Sequence, residues 1–225
     1  MAASVAPRDP AEYRRLQAAY QQSLRYAEDV RRLYRQLQRS VSQSLLGLAN
    51  ALEAKDAYSR GHSERVAELS RRIAELIGLD AVDVEAIEEA GLLHDIGKIG
   101  VPEPTLRKPG PLTGTEWEAM RRHPMVGAQI IAPFEFLAAA VPLVRHHHER
   151  WDGSGYPDGL AGSAIPLGAR IVAVADVFDA LTSTRPYRGA LPPAGAVAHL
   201  EGAAGHTLDA YVVAACVSLV RADAS

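Results

Sequence analysis

The chain has 225 residues, 24 Lys+Arg against 27 Asp+Glu, a formal net charge of −3, and 48% apolar residues. This is the composition of a folded globular protein with room for one core and an appendage, since a single domain commonly takes about 100–200 residues. The slight acidity excludes a protein that holds polyanions by bulk positive potential, so nucleic acid is not expected and any anionic ligand needs a local site.

Cys216 is the only cysteine, which excludes an intrachain disulfide and a cysteine-based metal site. No apolar run nears the roughly 18–20 residues of a membrane span. The segment Met1 to Pro10 has neither the basic start nor the apolar stretch of a signal peptide. A soluble, cytoplasmic protein is the expectation.

Residues 11–50 contain no Gly or Pro before Gly47, and apolar side chains recur at Tyr13, Leu16, Tyr20, Leu24, Ala27, Val30, Tyr34, Leu37, Val41, Leu45 and Leu48. Their steps of three or four line one side of a long helix. At the usual rise such a helix runs about 60 Å and cannot bury this stripe alone. Its first part is expected to pair with a second copy as a coiled coil, and the part from about Val41 to enter the domain core. An arm folded back on its own domain is the alternative.

After Asp56 helix follows helix. Val66, Leu69, Ile73, Leu76 and Ile77 form a stripe that Gly78 ends, and a second helix spans about Val82 to Ile96. Thr113 and Glu116 have capping-box spacing and start a third, which stops near Pro124. A short helix at 125–132 and another from Leu137 to about Glu149 follow. Trp151 to Leu167 holds four Gly and two Pro and reads as an irregular loop. Ala169 to Phe178 could be a buried strand, but its Ala content and its continuation through Asp179, Ala180 and Leu181 favour a buried helix. Helices near 194–203 and 208–221 close the chain. No stretch alternates well enough for a sheet, so the fold class is all-α.

His94-Asp95, His148 and Asp176 fall on apolar helical stripes, where imidazoles and carboxylates are costly unless paired or bound to cations. Imidazole plus carboxylate without thiolate suits Fe, Mn, Zn or Ni, and a bridging carboxylate allows two metals. Two-metal sites recur in phosphoester hydrolysis because they clamp the attacking and leaving oxygens.

His62 in Gly61-His62-Ser63, then His94-Asp95, then Asp176 resemble the H…HD…D order of HD-domain metallophosphohydrolases. The string His147-His148-Glu149-Arg150-Trp151-Asp152-Gly153-Ser154-Gly155-Tyr156-Pro157 resembles the HD-GYP subgroup, bacterial signalling hydrolases of cyclic di-GMP. His94-Asp95-Ile96-Gly97-Lys98-Ile99, Lys108-Pro109-Gly110, His123-Pro124 and Thr184-Arg185-Pro186-Tyr187-Arg188 also match, so the resemblance covers roughly residues 45–215. It implies an HD-domain-like helical bundle, with an HD-GYP catalytic domain at 45–225; ahead of it the chain's own pattern sets a disordered tail at 1–10 and a helical dimerisation and signalling arm at 11–44.

By this resemblance His62, His94, Asp95 and Asp176 hold one metal, and His123, His147 and His148 complete a second with Asp95 bridging. Two divalent transition metals, Fe or Mn, are implied. His146 falls outside the pattern and reads as a neighbour rather than a ligand, and His199 and His206, without a motif role, read as structural. Some members carry Glu one turn before the first His, where it helps hold a third metal; here that place belongs to Tyr58, which favours two. Gly205 to Ala210 also departs from the Phe-Asp-Pro series common at that point.

The implied reaction cuts cyclic di-GMP to linear pGpG, or onward to GMP. Two cations sharing a water lower its pKa from about 16 towards neutrality, and the hydroxide, oriented by Asp95, attacks phosphorus in line with the ribose 3′ oxygen. Lys98 points a cation at the same phosphate, its bland reading being a solvated helix-end lysine. Arg185 and Arg188 suit bidentate contact with phosphate or guanine edges. Tyr156, in the Gly155-Tyr156-Pro157 loop, contacts substrate or a partner such as a diguanylate cyclase domain, or simply pins a turn. Glu149, Arg150 and Asp152 are expected to orient the ligand histidines. A non-catalytic cyclic di-GMP sensor, and an HD hydrolase of another nucleotide including a hybrid cyclic dinucleotide, remain as alternatives. No receiver or sensory domain is recognisable, and the arm could belong to a larger chain.

Overall fold

The computed structural model describes residues 9–53, 61–184 and 189–223. Tyr58, Arg185 and Arg188, and most of the expected N-terminal tail, lie outside the described residues. The expected all-α class holds: among the described residues the only β feature is an isolated bridge between Ala204 and Leu208.

The contacts divide the chain into two units, one ending at Ser44 and one beginning at Leu45. Helix α1, Pro10–Glu53, supplies the first unit. There Leu16, Leu24, Val30 and Leu37 are 64%, 42%, 64% and 61% exposed in the single chain. Within the second unit, Leu45, Ala49 and Glu53 are the buried residues of α1, four apart and so on one face.

The second unit continues through α2 (His62–Leu76), α3 (Ala81–Leu93), α4 (Glu103–Leu106), α5 (Gly114–Arg121), α6 (His123–Ile131), α7 (Val141–His146), α8 (Leu167–Thr182), α9 (Pro193–Ala203) and α10 (Ala210–Asp223). Their ends follow the sequence. Gly78, at φ 81°, ends α2, Asp80 accepts from the Val82 and Asp83 amides to start α3, and Thr113 with Glu116 closes a reciprocal capping box on α5.

Helix α8 is the centre of the bundle, with α2, α3, α7, α9 and α10 packed on it. Its Ile171, Val172, Val174 and Ala175 are fully buried. A helix surrounded on all sides has to be apolar all round, which is why its sequence reads as much like a strand as like a surface helix. Two glycines set the spacing around it. A Cβ on Gly91 would stand 2.6 Å from the Ala67 Cα, so α3 lies directly on the backbone of α2. A Cβ on Gly97 would stand 1.9 Å from the His123 carbonyl oxygen, so the tight turn Ile96–Gly100 seats directly on the start of α6.

Three boundaries differ from the sequence expectation. The helix expected to reach Ile96 stops at Leu93 and tightens into the turn Ile96–Gly100. Instead of ending a helix, His123 and Pro124 open α6, since proline is tolerated in a first helical turn. The segment from Leu137 to Glu149 is broken into a turn, Glu135–Leu137, and the short α7, with Pro142 in its first turn.

Candidate metal centre

Six of the seven residues expected to hold metal stand in two groups, His62–His94–Asp176 and His123–His147–His148; within each group the donor atoms lie within 4.8 Å of one another. Helix ends do most of the placing. His62 opens α2, His94 directly follows α3, His123 opens α6, and His147 and His148 follow α7, while Asp176 projects from the middle of α8. The seventh residue, Asp95, stands between the groups: its Oδ1 is 3.3 Å from His123 Nε2, and its Oδ2 is 3.5 Å from His94 Nε2 and 4.0 Å from His62 Nε2.

The hydrogen bonds fix which imidazole nitrogen is bare. The Nδ1 atoms of His94, His123 and His147 meet the carbonyl oxygens of Gly91, Met120 and Val144 at 2.8, 2.8 and 2.7 Å. A carbonyl can only accept, so each Nδ1 donates, and in the neutral ring Nε2 presents a lone pair. The His94 Nε2 is buried without a hydrogen-bond partner. Likewise, His123 and His147 face each other Nε2 to Nε2 at 3.4 Å. Burial, foremost, lowers the pKa of His123 and of His147, the latter strongly, and lowers that of His148 to about 3, so these rings stay neutral. Converging lone pairs and carboxylate oxygens repel unless a cation lies among them, and buried acceptors left unpaired in this way are otherwise rare. The donor set of nitrogen and oxygen suits a divalent transition metal.

The carboxylates are ionised. Burial works to raise Asp95, but the charges around it, Lys98 foremost and His62 among them, hold it well below the usual range. Burial also opposes the charge of Asp176, and the hydrogen bond from His62 at 3.3 Å overcomes it. His62 differs from the other rings because it has a carboxylate on each side, Asp176 at Nε2 and Asp179 at Nδ1. Against the effect of burial they raise its pKa to about 10, so the ring is doubly protonated, and a cation taking Nε2 displaces one of those protons.

Lys98 donates to Asp95 Oδ2 across one turn. Tyr156 stacks near His148, with ring centroids 4.9 Å apart, and Arg121 lies 4.9 Å over its ring. The loop carrying it is tightly bound: the Tyr156 amide donates to the His148 carbonyl, and a Cβ on Gly155 would stand 2.3 Å from the Arg150 nitrogen. Glu149 and Asp152 act on this loop rather than on the histidines. Glu149 accepts from the Asp158 and Leu160 amides, and Asp152 from the Ser154 amide and hydroxyl. His146 is 2.8 Å from both the Pro142 carbonyl and Asp158, a carboxylate also gripped by Arg145, and so is satisfied away from the centre. His199 and His206 are exposed.

Two functional contributors were not anticipated. Asp179 takes Nδ1 of His62, and Glu53 at the end of α1 accepts from the Gly61 and Ser63 amides, on either side of His62, at 2.8 and 2.7 Å. A buried carboxylate three residues beyond Asp176 on an apolar helix was a readable signal for the first. Glu53 carries no local signal, because its partners come from a different helix.

Comparison with known proteins identifies the family and the fold. The profile of the HD domain matches residues 47–212. The cyclic di-GMP phosphodiesterase response regulator RpfG of Xanthomonas campestris is 46% identical over 169 residues, 74% of this chain and 45% of that protein. The 3′3′-cGAMP-specific phosphodiesterase 2 of Vibrio cholerae is 42% identical over 153 residues, 67% of this chain and 29% of that protein. The chain thus spans less than half the length of either relative. A solved cyclic GMP-AMP-specific phosphodiesterase from V. cholerae superposes with a TM-score of 0.63 at 20% identity, over 80% of this chain and 48% of that one, a likeness of fold. On its matched length, its helical architecture and the ordered His and Asp series, this chain belongs to the HD-domain family.

Proposed function

We propose that the domain is a metal-dependent phosphodiesterase that hydrolyses cyclic di-GMP to linear pGpG, with GMP as the product of a second cut. The observation that supports this best is the pair of donor groups with Asp95 between them, the arrangement a bridged two-cation site requires. The relatives' names supply the substrate class. His62, His94 and Asp176 would hold one cation, His123, His147 and His148 the other, and Asp95 both; Fe or Mn suits the donors. When bound, such a pair supplies Lewis acidity to a phosphoryl oxygen and acidifies water.

The chain's own residues then orient and neutralise. Asp95, held by Lys98 at Oδ2, would orient the attacking water between the two donor groups. The Lys98 ammonium, beside this carboxylate, counters charge gathering on the phosphate. Tyr156 and Arg121 offer a ring face and a cation to a guanine base beside His148. Arg185 and Arg188 are assigned to phosphate or guanine contact on the sequence motif alone. The arm of α1 pairs with a second copy, the Gly155-Tyr156-Pro157 loop is the place where a diguanylate cyclase domain would dock, and the setting is the cytoplasm.

The test is incubation of Fe- or Mn-loaded protein with cyclic di-GMP in oxygen-free buffer, with chromatography for linear product. Binding without turnover would replace this reading by a sensor. The V. cholerae relative gives a second substrate, 3′3′-cGAMP, its specific support; faster turnover of that hybrid in a dinucleotide panel would favour it.

A further inference from the structure

Among the buried ring nitrogens that turn away from the centre, those of His94, His123 and His147 are fixed by neutral backbone carbonyls three residues back along the chain. His62 is fixed by a carboxylate: its Nδ1 lies 2.7 Å from Asp179 Oδ2, a contact buried between α2 and α8. Asp179 is itself held in place. Arg65, one turn after His62, donates from Nε and from a terminal nitrogen to its two oxygens, and Ser183 Oγ lies 3.3 Å from it. The two-pronged guanidinium contact pairs this carboxylate with a permanent cation. A carboxylate behind an imidazole fixes the tautomer, strengthens the ring as a donor and adds negative charge that a neutral carbonyl cannot.

The consequence is an asymmetry. Around His62–His94–Asp176 stand two ionised carboxylates besides Asp95, whereas His123–His147–His148 offers neutral rings alone besides the same Asp95. We propose that Asp179 is a positioning residue that, through His62, makes the first group the tighter of the two cation positions. The inference rests on the two-cation reading above.

The test is calorimetric titration of the chelator-stripped full chain with Mn²⁺, without air. The wild type takes up two ions with unequal affinity. Asp179→Asn keeps the side chain's shape and removes its charge, and the tighter event weakens by about 10–100-fold while the weaker one is unchanged. Equal weakening of both events, or of neither, overturns the proposal. Should Asp179→Asn fail to fold, as a melt in chelator will reveal, Arg65→Lys at the half-exposed rim removes the fork but keeps the charge. It weakens the same event by a few-fold, and the same two patterns overturn the proposal. A wild-type chain that binds fewer than two ions overturns the two-cation reading and the proposal together; two ions without selective loss overturn the proposal alone.

Discussion

Gly97→Ala tests whether the two donor groups depend on direct seating of one backbone on another. The new Cβ would stand 1.9 Å from the His123 carbonyl oxygen and 2.4 Å from the Gly127 nitrogen, and both are backbone atoms that no rotamer change can move. Real Cβ atoms essentially never approach closer than 3.0 Å, so the turn and α6 must part by about 1 Å. Overpacking of this kind costs about 1–3 kcal/mol, and at roughly 2–4 °C of melting temperature per kcal/mol for a chain of this size the protein stays folded. Metal distances tolerate about 0.2 Å, and His123 Nε2 sits 3.3 Å from Asp95 on the opposite side of that seam. The bridge opens, and a misplacement of about 1 Å is enough for roughly 100-fold in rate. Elemental analysis should show less than the wild-type metal content, and cyclic di-GMP turnover should fall by about 100-fold or more, with a melting point lower by only a few degrees. Gly202→Ala is the control. Nothing lies within 4 Å of its Cβ, so stability rises slightly and turnover is untouched. Gly97→Ala with wild-type metal content and rate would refute the reasoning.

The order of helices was legible because each end carries a local signal: Gly78 at positive φ, Asp80 and the Thr113–Glu116 box all act where the sequence places them. The surrounded helix α8 was legible only by its alanines, since a helix buried on every side loses the amphipathic period. Within the candidate centre, His94, Asp95, His148 and Asp176 stood out as polar groups on apolar stripes, whereas His62, His123 and His147 were marked by the family resemblance alone. The break at Leu93 was not readable, because it arises from packing: Gly97 must lie on His123, and this fixes where the chain turns; the break at Ala140 had a local signal in Pro142, which sits in the first turn of α7. The roles first given to Glu149 and Asp152 were placed one layer too close to the metals. Both side chains bind amides of their own loop, a local use that asparagine-like and carboxylate side chains commonly find. Glu53 could not be seen at all, since the amides it caps are supplied by another helix.

Three further substitutions probe the chain at separate points. Asp95→Ala removes the carboxylate common to both donor groups and should abolish turnover and deplete both ions; retained activity with normal metal content would end the two-cation reading. Leu24→Asp with Leu37→Asp places charges on the exposed stripe of α1, where these leucines are 42% and 61% exposed, and should yield monomers by sedimentation if a second copy covers them. An unchanged mass would reject the pairing. Glu53→Ala acts at the opposite end of the same helix. Glu53 is 8% exposed and is the acceptor for the Gly61 and Ser63 amides, so the substitution strands two donors at the start of α2, one of them buried. An unsatisfied buried donor costs about 1–3 kcal/mol, so the chelated protein should melt several degrees lower. Because the two amides flank His62, the ring also loses its backbone anchor, and Mn²⁺ affinity should fall at the His62–His94–Asp176 group beyond what the melting shift accounts for. Glu53→Gln, which keeps one oxygen acceptor, should lie between the two. If Glu53→Ala lowers the melting point but leaves Mn²⁺ binding as in the wild type, then α1 merely packs against the domain; if both change together, the end of the arm helix is part of what aims a metal ligand.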